Sequence, residues 1–148
     1  MTEDGFDWDE YLNLARNLVD HISGEASVRA SSSRAYYAAF WKARLILESN
    51  QVTVPRINVH RFVWDAFISS WNNEGTSIGK LGDSLKSFRV KADYMSSPPM
   101  TRADAEIAVA NAEDLIEDLE TISESAKSVA IKKAKELMAS PEYQPSRT

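Results

Sequence analysis

Arg34 stands in SSSRAYYAAFWKARLIL, the centre of the most apolar predicted helix of the chain. A guanidinium is rarely buried without a partner, so its place among Ala, Tyr and Phe asks for an anion. Arg89 and Asp93 lie one helical turn apart in FRVKADY, beside Tyr94. With Arg on the N-terminal side, this i,i+4 order is the weaker one for a helix pair. Either charge can therefore face another element, and Arg34 and Asp93 are the expected partners. As structure, that would be a buried ion pair fixing helix register, completed by Tyr hydroxyls. As function, Arg34 and Arg89 would share a pocket for phosphate, which guanidinium forks grip bidentately. Tyr37, Asp93 and Tyr94 would then orient the two arginines.

His60 opens a predicted helix between Val59 and Arg61. A lone His at a helix start reads as a polar cap or core-edge residue, with acid–base catalysis as the alternative. Trp8, Trp41 and Trp64 read as core or interface residues. Trp71 lies off its helix's apolar stripe and next to a polar loop, so it is the Trp expected in solvent. Most catalytic signatures are missing: there is no phosphate-binding GxxxxGK[ST], no HExxH and no GxSxG. Glu113, Asp114, Glu117, Asp118 and Glu120 cluster on one predicted helix, but no Glu precedes His21 or His60 by three. A di-iron carboxylate site is therefore not indicated, and a solvated acidic face is expected. With no Cys and two His, disulfides and Cys- or His-rich metal sites are excluded. No metal and no cofactor are expected.

The elements that must position these residues are helical. The 148 residues include five Gly and five Pro, and β-branched alternation is confined to QVTVP at 51–55. A first helix is predicted over 7–22, with Trp8, Leu12, Ala15, Leu18, Val19 and Ile22 as its stripe. A second, over 25–49, is apolar on most faces and therefore central. Pro55 interrupts the linker that follows. A third helix is expected over 59–71, then a WNNEGTS loop, then a fourth over 78–94, ended by SSPP. Thr101 and Asp104 resemble a capping box opening a fifth helix. That helix continues, straight or kinked near 123–125, to about Met138. PEYQPSRT is expected to be a disordered tail. The expected fold is all-α: an up-and-down bundle of about five helices, a four-helix core plus one, spanning 1–125. Residues 126–148 form a basic helical extension and tail.

Net charge is −5, arranged in blocks: 1–25 and 103–124 are acidic, 26–95 and the C-terminal segment basic. A basic face for nucleic acid is compatible with this pattern, and so is simple pairing between helices. No apolar run is long enough to span a bilayer, and the acidic N-terminus does not resemble a signal peptide. A cytoplasmic protein without membrane contact is expected.

SRAYYAAFWKARLIL at 33–47, His60, and FRVKADY at 88–94 together resemble the HEPN domain family. The likeness is to the branch with an R-x-Y-Y-A-x-F second helix and an R-x-x-A-D-Y fourth helix. It covers roughly residues 7–122. The resemblance implies a small dimeric α-bundle of toxin–antitoxin or defence systems, often paired with a nucleotidyltransferase, with RNA or nucleotide as ligand. Active members are metal-independent endoribonucleases that use an Arg followed, after four to six residues, by a His. This sequence departs from that motif. Ala39, Phe40 and Trp41 stand at the His positions after Arg34, and Tyr94, Met95 and Ser96 at those after Arg89. Arg16 with His21 is a literal match, but on the first helix, outside both family strings. The resemblance therefore implies an RNA- or nucleotide-associated accessory protein, a homodimer, using Arg34, Tyr37, Arg89, Asp93 and Tyr94. An endoribonuclease with a variant site built on His60 is the first alternative. A protein–protein interaction module is the second.

Overall fold

The computed structural model describes residues 5–145. It is all-helical, with no strand among the described residues. There are six α-helices where the sequence suggested about five. They are α1 (Asp9–Asp20), α2 (Glu25–Glu48), α3 (Val59–Ile68), α4 (Asn73–Tyr94), α5 (Arg102–Glu120) and α6 (Glu124–Leu137). A 3-10 turn over Pro141–Tyr143 follows.

Local signals set several boundaries. The Asn72 side chain accepts the Gly75 N–H and starts α4 five residues before the first residue expected from its apolar stripe. WNNEGTS is thus not a loop: its last five residues are helix, because the cap outweighs their polar composition. Thr101 and Asp104 form the expected capping box of α5. The long fifth stretch is broken at 121–123, where the Ser123 hydroxyl accepts the Ala126 N–H and starts α6 anew.

Helix α2 is the centre, packed against α1, α3, α4 and α5. Ala35, Ala38, Ala39 and Ala43 are fully buried on it, as are Ala105, Ala108 and Ala112 on α5. Small side chains at helical spacing let the two backbones approach closely. Larger groups fill the α3 side: Phe62, Trp64 and Phe67 are fully or nearly fully buried, each contributing ~2–3 kcal/mol of transfer free energy. Gly79 and Gly82 explain how α4 lies against α3. A Cβ at Gly82 would come within 2.2 Å of the Trp64 ring, and one at Gly79 within 2.8 Å of the Trp64 carbonyl oxygen. This close approach offsets the ~1 kcal/mol that each mid-helix Gly costs.

The segment expected as a disordered tail is ordered through its first residues. Tyr143 is buried, its ring edge-on to Phe62 and its hydroxyl donating to Asp65 Oδ2 at 2.8 Å. Asn58 Nδ2 donates to the Glu142 carbonyl, and Arg61 pairs with Glu142 at 2.9 Å. An aromatic side chain with a ready apolar slot overrides the polar, Pro-containing composition around it. The rest of that expectation, 146–148, lies outside the described residues. Helix α6 packs on α3 and α4 through Ala126, Ala130 and Ala134. No helix among the described residues is long and apolar enough to cross a membrane.

Candidate functional site

Helices α2 and α4 run antiparallel, and their pairing places most of the predicted residues on one seam. Arg29 Nη1 donates to three carbonyls at the end of α4: Lys91 (3.0 Å), Ala92 (3.1 Å) and Met95 (2.6 Å). The last carbonyls of a helix have few donors of their own, the Lys91 oxygen taking the Met95 N–H here, so Arg29 fixes the turn carrying Asp93 and Tyr94. Glu25 holds Arg29 from behind at 2.6 Å. One turn further along α2, buried Ser33 donates to Asp93 Oδ2 at 3.1 Å. One turn beyond that, Tyr37 packs by its ring on the Arg89 guanidinium.

The expected Arg34–Asp93 ion pair is not formed. Among the described residues Arg34 makes no ion pair, and its guanidinium lies 5.1 Å from the Tyr11 ring centroid. Asp93 takes the Ser33 hydroxyl instead, because Ser33 and not Arg34 faces α4. Both residues still line one cavity of about 370 Å³, with Trp8, Tyr11, Ser33, Tyr37 and Trp41. Arg89 does not line that cavity. It packs on the rings of Tyr36, Tyr37 and Tyr94, so the two arginines do not share one open pocket.

Arg89 is the anomaly of the molecule. It is 7% exposed, forms no ion pair or hydrogen bond among the described residues, and its Nε is buried without a partner. The rings of Tyr36, Tyr37 and Tyr94 surround it at 5.6, 5.6 and 5.7 Å. Aromatic faces stabilise a cation, but they accept no strong hydrogen bonds. The guanidinium is thus held without a negative partner among the described residues, and its Nε is both buried and unbonded.

His60 is close to Arg89 but plays another part. Its Nδ1 lies 2.7 Å from the Tyr36 hydroxyl oxygen, which also accepts the Trp64 Nε1–H at 3.0 Å. Burial holds the Tyr36 phenol protonated well above its usual range. Tyr36 and His60 Nδ1 share one hydrogen bond, and the His60 tautomer sets which of the two donates. Burial, then the charges of Arg89, Lys86 and Arg44, push the His60 pKa down to about 4. At neutral pH this imidazole is uncharged and carries no proton ready for donation as an acid. His60 does not line the Arg34 cavity.

Arg16 and His21 are used locally. Arg16 pairs with Glu113 at 3.1 Å, and His21 Nδ1 bonds the Asn17 carbonyl at the end of α1. Of the aromatic platforms, Trp41 is covered on one side by Trp8, stacked at 4.4 Å. Arg44 also lies over its ring, at 4.6 Å. Tyr94 is 74% exposed and Trp71 94%. Trp71 is therefore in solvent as its sequence position suggested, and in a left-handed backbone conformation, φ 60°. No group of three or more acidic or His side chains among the described residues could hold a metal ion.

Sequence reasoning missed Arg29, Ser33, Tyr36, Arg44 and Lys86. Arg29 had no readable signal, since it binds backbone carbonyls more than sixty residues away. Arg44 and Lys86 could have been found from spacing. Tyr37, Trp41 and Arg44 share one face of α2, as Lys86, Arg89 and Asp93 share one face of α4.

The fold and this seam define an all-helical protein with a caged, unpaired buried arginine beside an arginine- and aromatic-lined cavity. No family model matches the chain, and neither a curated protein nor a solved structure matches it significantly.

Proposed function

We propose that the chain is a HEPN-like helical protein that binds RNA or nucleotide through phosphate, as an accessory component of a toxin–antitoxin or defence pair. In this reading the helices form an up-and-down bundle with a four-helix core, and the protein is a cytoplasmic homodimer. A nucleotidyltransferase-type or other protein is its partner. The observation that carries the reading is Arg89: a guanidinium buried in a tyrosine cage with no anion supplied by the protein. A bound phosphate oxygen would satisfy it, with Arg34 in the cavity that Tyr37 also lines and Tyr94 at the rim. Asp93, tied to Ser33, holds the α4 turn that carries Tyr94 beside Arg89. The state of His60 favours binding over cleavage, since neutral imidazole at pH 7 lacks the proton that a leaving group needs.

The test is RNA handling in EDTA by wild type beside Arg34→Ala, Arg89→Ala and His60→Ala. Salt-sensitive binding without cleavage, weakened by the Arg substitutions, is expected. Cleavage that vanishes in the His60 variant would replace this reading with the ribonuclease. Absence of any RNA or nucleotide binding would remove both.

Trp71 favours a second reading, a protein-interaction module. A large aromatic side chain almost wholly in solvent on a left-handed residue is costly alone and suits an anchor in a partner's pocket. Loss of partner capture in Trp71→Ala, with RNA binding intact, would support it.

A further inference from the structure

Arg34 and Asp93 line one cavity of about 370 Å³ without pairing with each other. That volume falls within the range of small-ligand sites, ~300–1,000 Å³. Its walls are aromatic: Trp8, Tyr11, Tyr37 and Trp41. Trp8 and Trp41 are stacked at 4.4 Å, and Tyr11 stands edge-on to Trp8 at 5.1 Å, so these rings hold one another in place. Tyr37 also packs on Arg89 at 5.6 Å, which makes it a wall shared by the cavity and the Arg89 cage.

The polar groups of this cavity are only partly used. Ser33 donates to Asp93 Oδ2 at 3.1 Å, and Oδ1 has no partner among the described residues. A carboxylate offers about four acceptor sites, so most of them stay open. Arg34 rests on the Tyr11 ring, and none of its N–H donors meets an acceptor among the described residues. Asp93 repels a phosphate, so the cavity does not suit one. It suits an uncharged flat group that donates to Asp93 and accepts from Arg34.

We infer that this cavity is a nucleobase subsite and that Arg34 and Asp93 select guanine there. This rests on the reading of Arg89 as a phosphate-binding residue and narrows it to a guanine nucleotide. Bases outside a duplex are read by stacking on aromatic side chains and by hydrogen bonds to their edges. Among the RNA bases, guanine alone has two adjacent donors, N1–H and N2–H, that match a carboxylate. Its O6 and N7 form an adjacent acceptor pair that matches a guanidinium fork. Asp93 takes the first edge and Arg34 the second, with the ring packed among the aromatic walls. Two sources share this chemistry: a free guanine nucleotide and a guanine within single-stranded RNA.

The experiment is calorimetric titration of the full chain with GMP, AMP, CMP, UMP, IMP, XMP and guanosine, and with a short oligouridylate with and without one guanine. Wild type is compared with Asp93→Asn, Arg34→Gln and Arg89→Met. Thermal unfolding of each variant confirms folding. GMP is expected to bind at least ~10-fold tighter than AMP, CMP or UMP, the discrimination of one bidentate pair. IMP, which lacks the N2 amine, should lose most of that preference, and Arg34→Gln should narrow it. Asp93→Asn keeps an oxygen for Ser33 but turns the other acceptor into a donor. It should weaken GMP and strengthen XMP, which carries an oxygen in place of the N2 amine. A residue that only held the α4 turn would not exchange one base for another. Tighter binding of the guanine-bearing oligomer than of GMP and of plain oligouridylate identifies RNA as the source, and GMP binding at least as tight identifies the free nucleotide; either supports the subsite. Equal binding of the four common nucleotides, preference for another base, or a GMP preference that survives Asp93→Asn overturns this inference and leaves the phosphate reading standing. Guanosine binding as tight as GMP, or GMP binding indifferent to Arg89→Met, overturns the phosphate reading and leaves the base subsite. No binding of any ligand overturns both.

Discussion

Replacing Arg89 by Met separates a binding residue from a structural one. Were the guanidinium half of a core ion pair, its removal would strand a buried partner charge and cost ~3–5 kcal/mol. The geometry gives a different sum. Arg89 is 7% exposed and has three tyrosine faces at 5.6–5.7 Å as its only strong contacts. Their combined loss is ~1.5–3 kcal/mol at about 0.5–1 kcal/mol per face. Against this, the substitution removes the buried Nε that has no partner, a penalty of ~1–3 kcal/mol. Met also refills much of the space with an unbranched apolar chain. The expected change in unfolding free energy is within ~1 kcal/mol of zero, a shift of at most ~4 °C in Tm for a chain of this size. Urea unfolding followed by Trp fluorescence measures it, with phosphate-ligand affinity measured on the same sample. Stability kept and affinity lost is the expected pair of results. A loss of 3 kcal/mol or more, or ~6–12 °C, would refute the reasoning, because it would mean that Arg89 holds the fold together.

His60 gives a pH prediction with a defined sign. Its folded-state pKa of about 4 lies below the ordinary 6.5, so the unfolded chain takes up this proton first. The contribution of His60 is fully present above pH ~6.5 and is lost as pH falls to about 4; His60→Gln should flatten the urea-derived stability profile in that window. Gly82→Ala inverts the usual helix rule. Ala would gain ~1 kcal/mol of propensity, but a Cβ 2.2 Å from the Trp64 ring forces overpacking of ~1–3 kcal/mol, so Tm should fall. Trp71→Gly relieves a left-handed backbone at a fully exposed site, and ~0.5–1 kcal/mol of added stability is expected in the same assay. A decrease there would show that Trp71 packs on its own chain.

The all-helical class and most helix cores were legible because they depend on local periodicity, which the chain carries openly. Ala35, Ala38, Ala39 and Ala43 marked α2 as central, and the Thr101–Asp104 cap was readable residue by residue. Boundaries failed where one side-chain hydrogen bond overrode composition: Asn72 turned a polar loop into the first turn of α4, and Ser123 cut α5 from α6. The tail failed for a tertiary reason, since nothing local tells that Tyr143 will meet Phe62 and Asp65.

The site divides the same way. Residue types and spacing singled out Arg34, Tyr37, Arg89, Asp93 and Tyr94 as chemistry-bearing. Only the packing of α2 against α4 decided their partners. It gave Asp93 to Ser33, set Arg34 over Tyr11, and left Arg89 caged by tyrosines without an anion. A sequence specifies which groups must leave water, because hydropathy and helical period are properties of neighbours along the chain. Which opposite charge meets which, and which cation is left unpaired, depends on the rotation and register of two helices far apart in sequence. Only the folded structure fixes those.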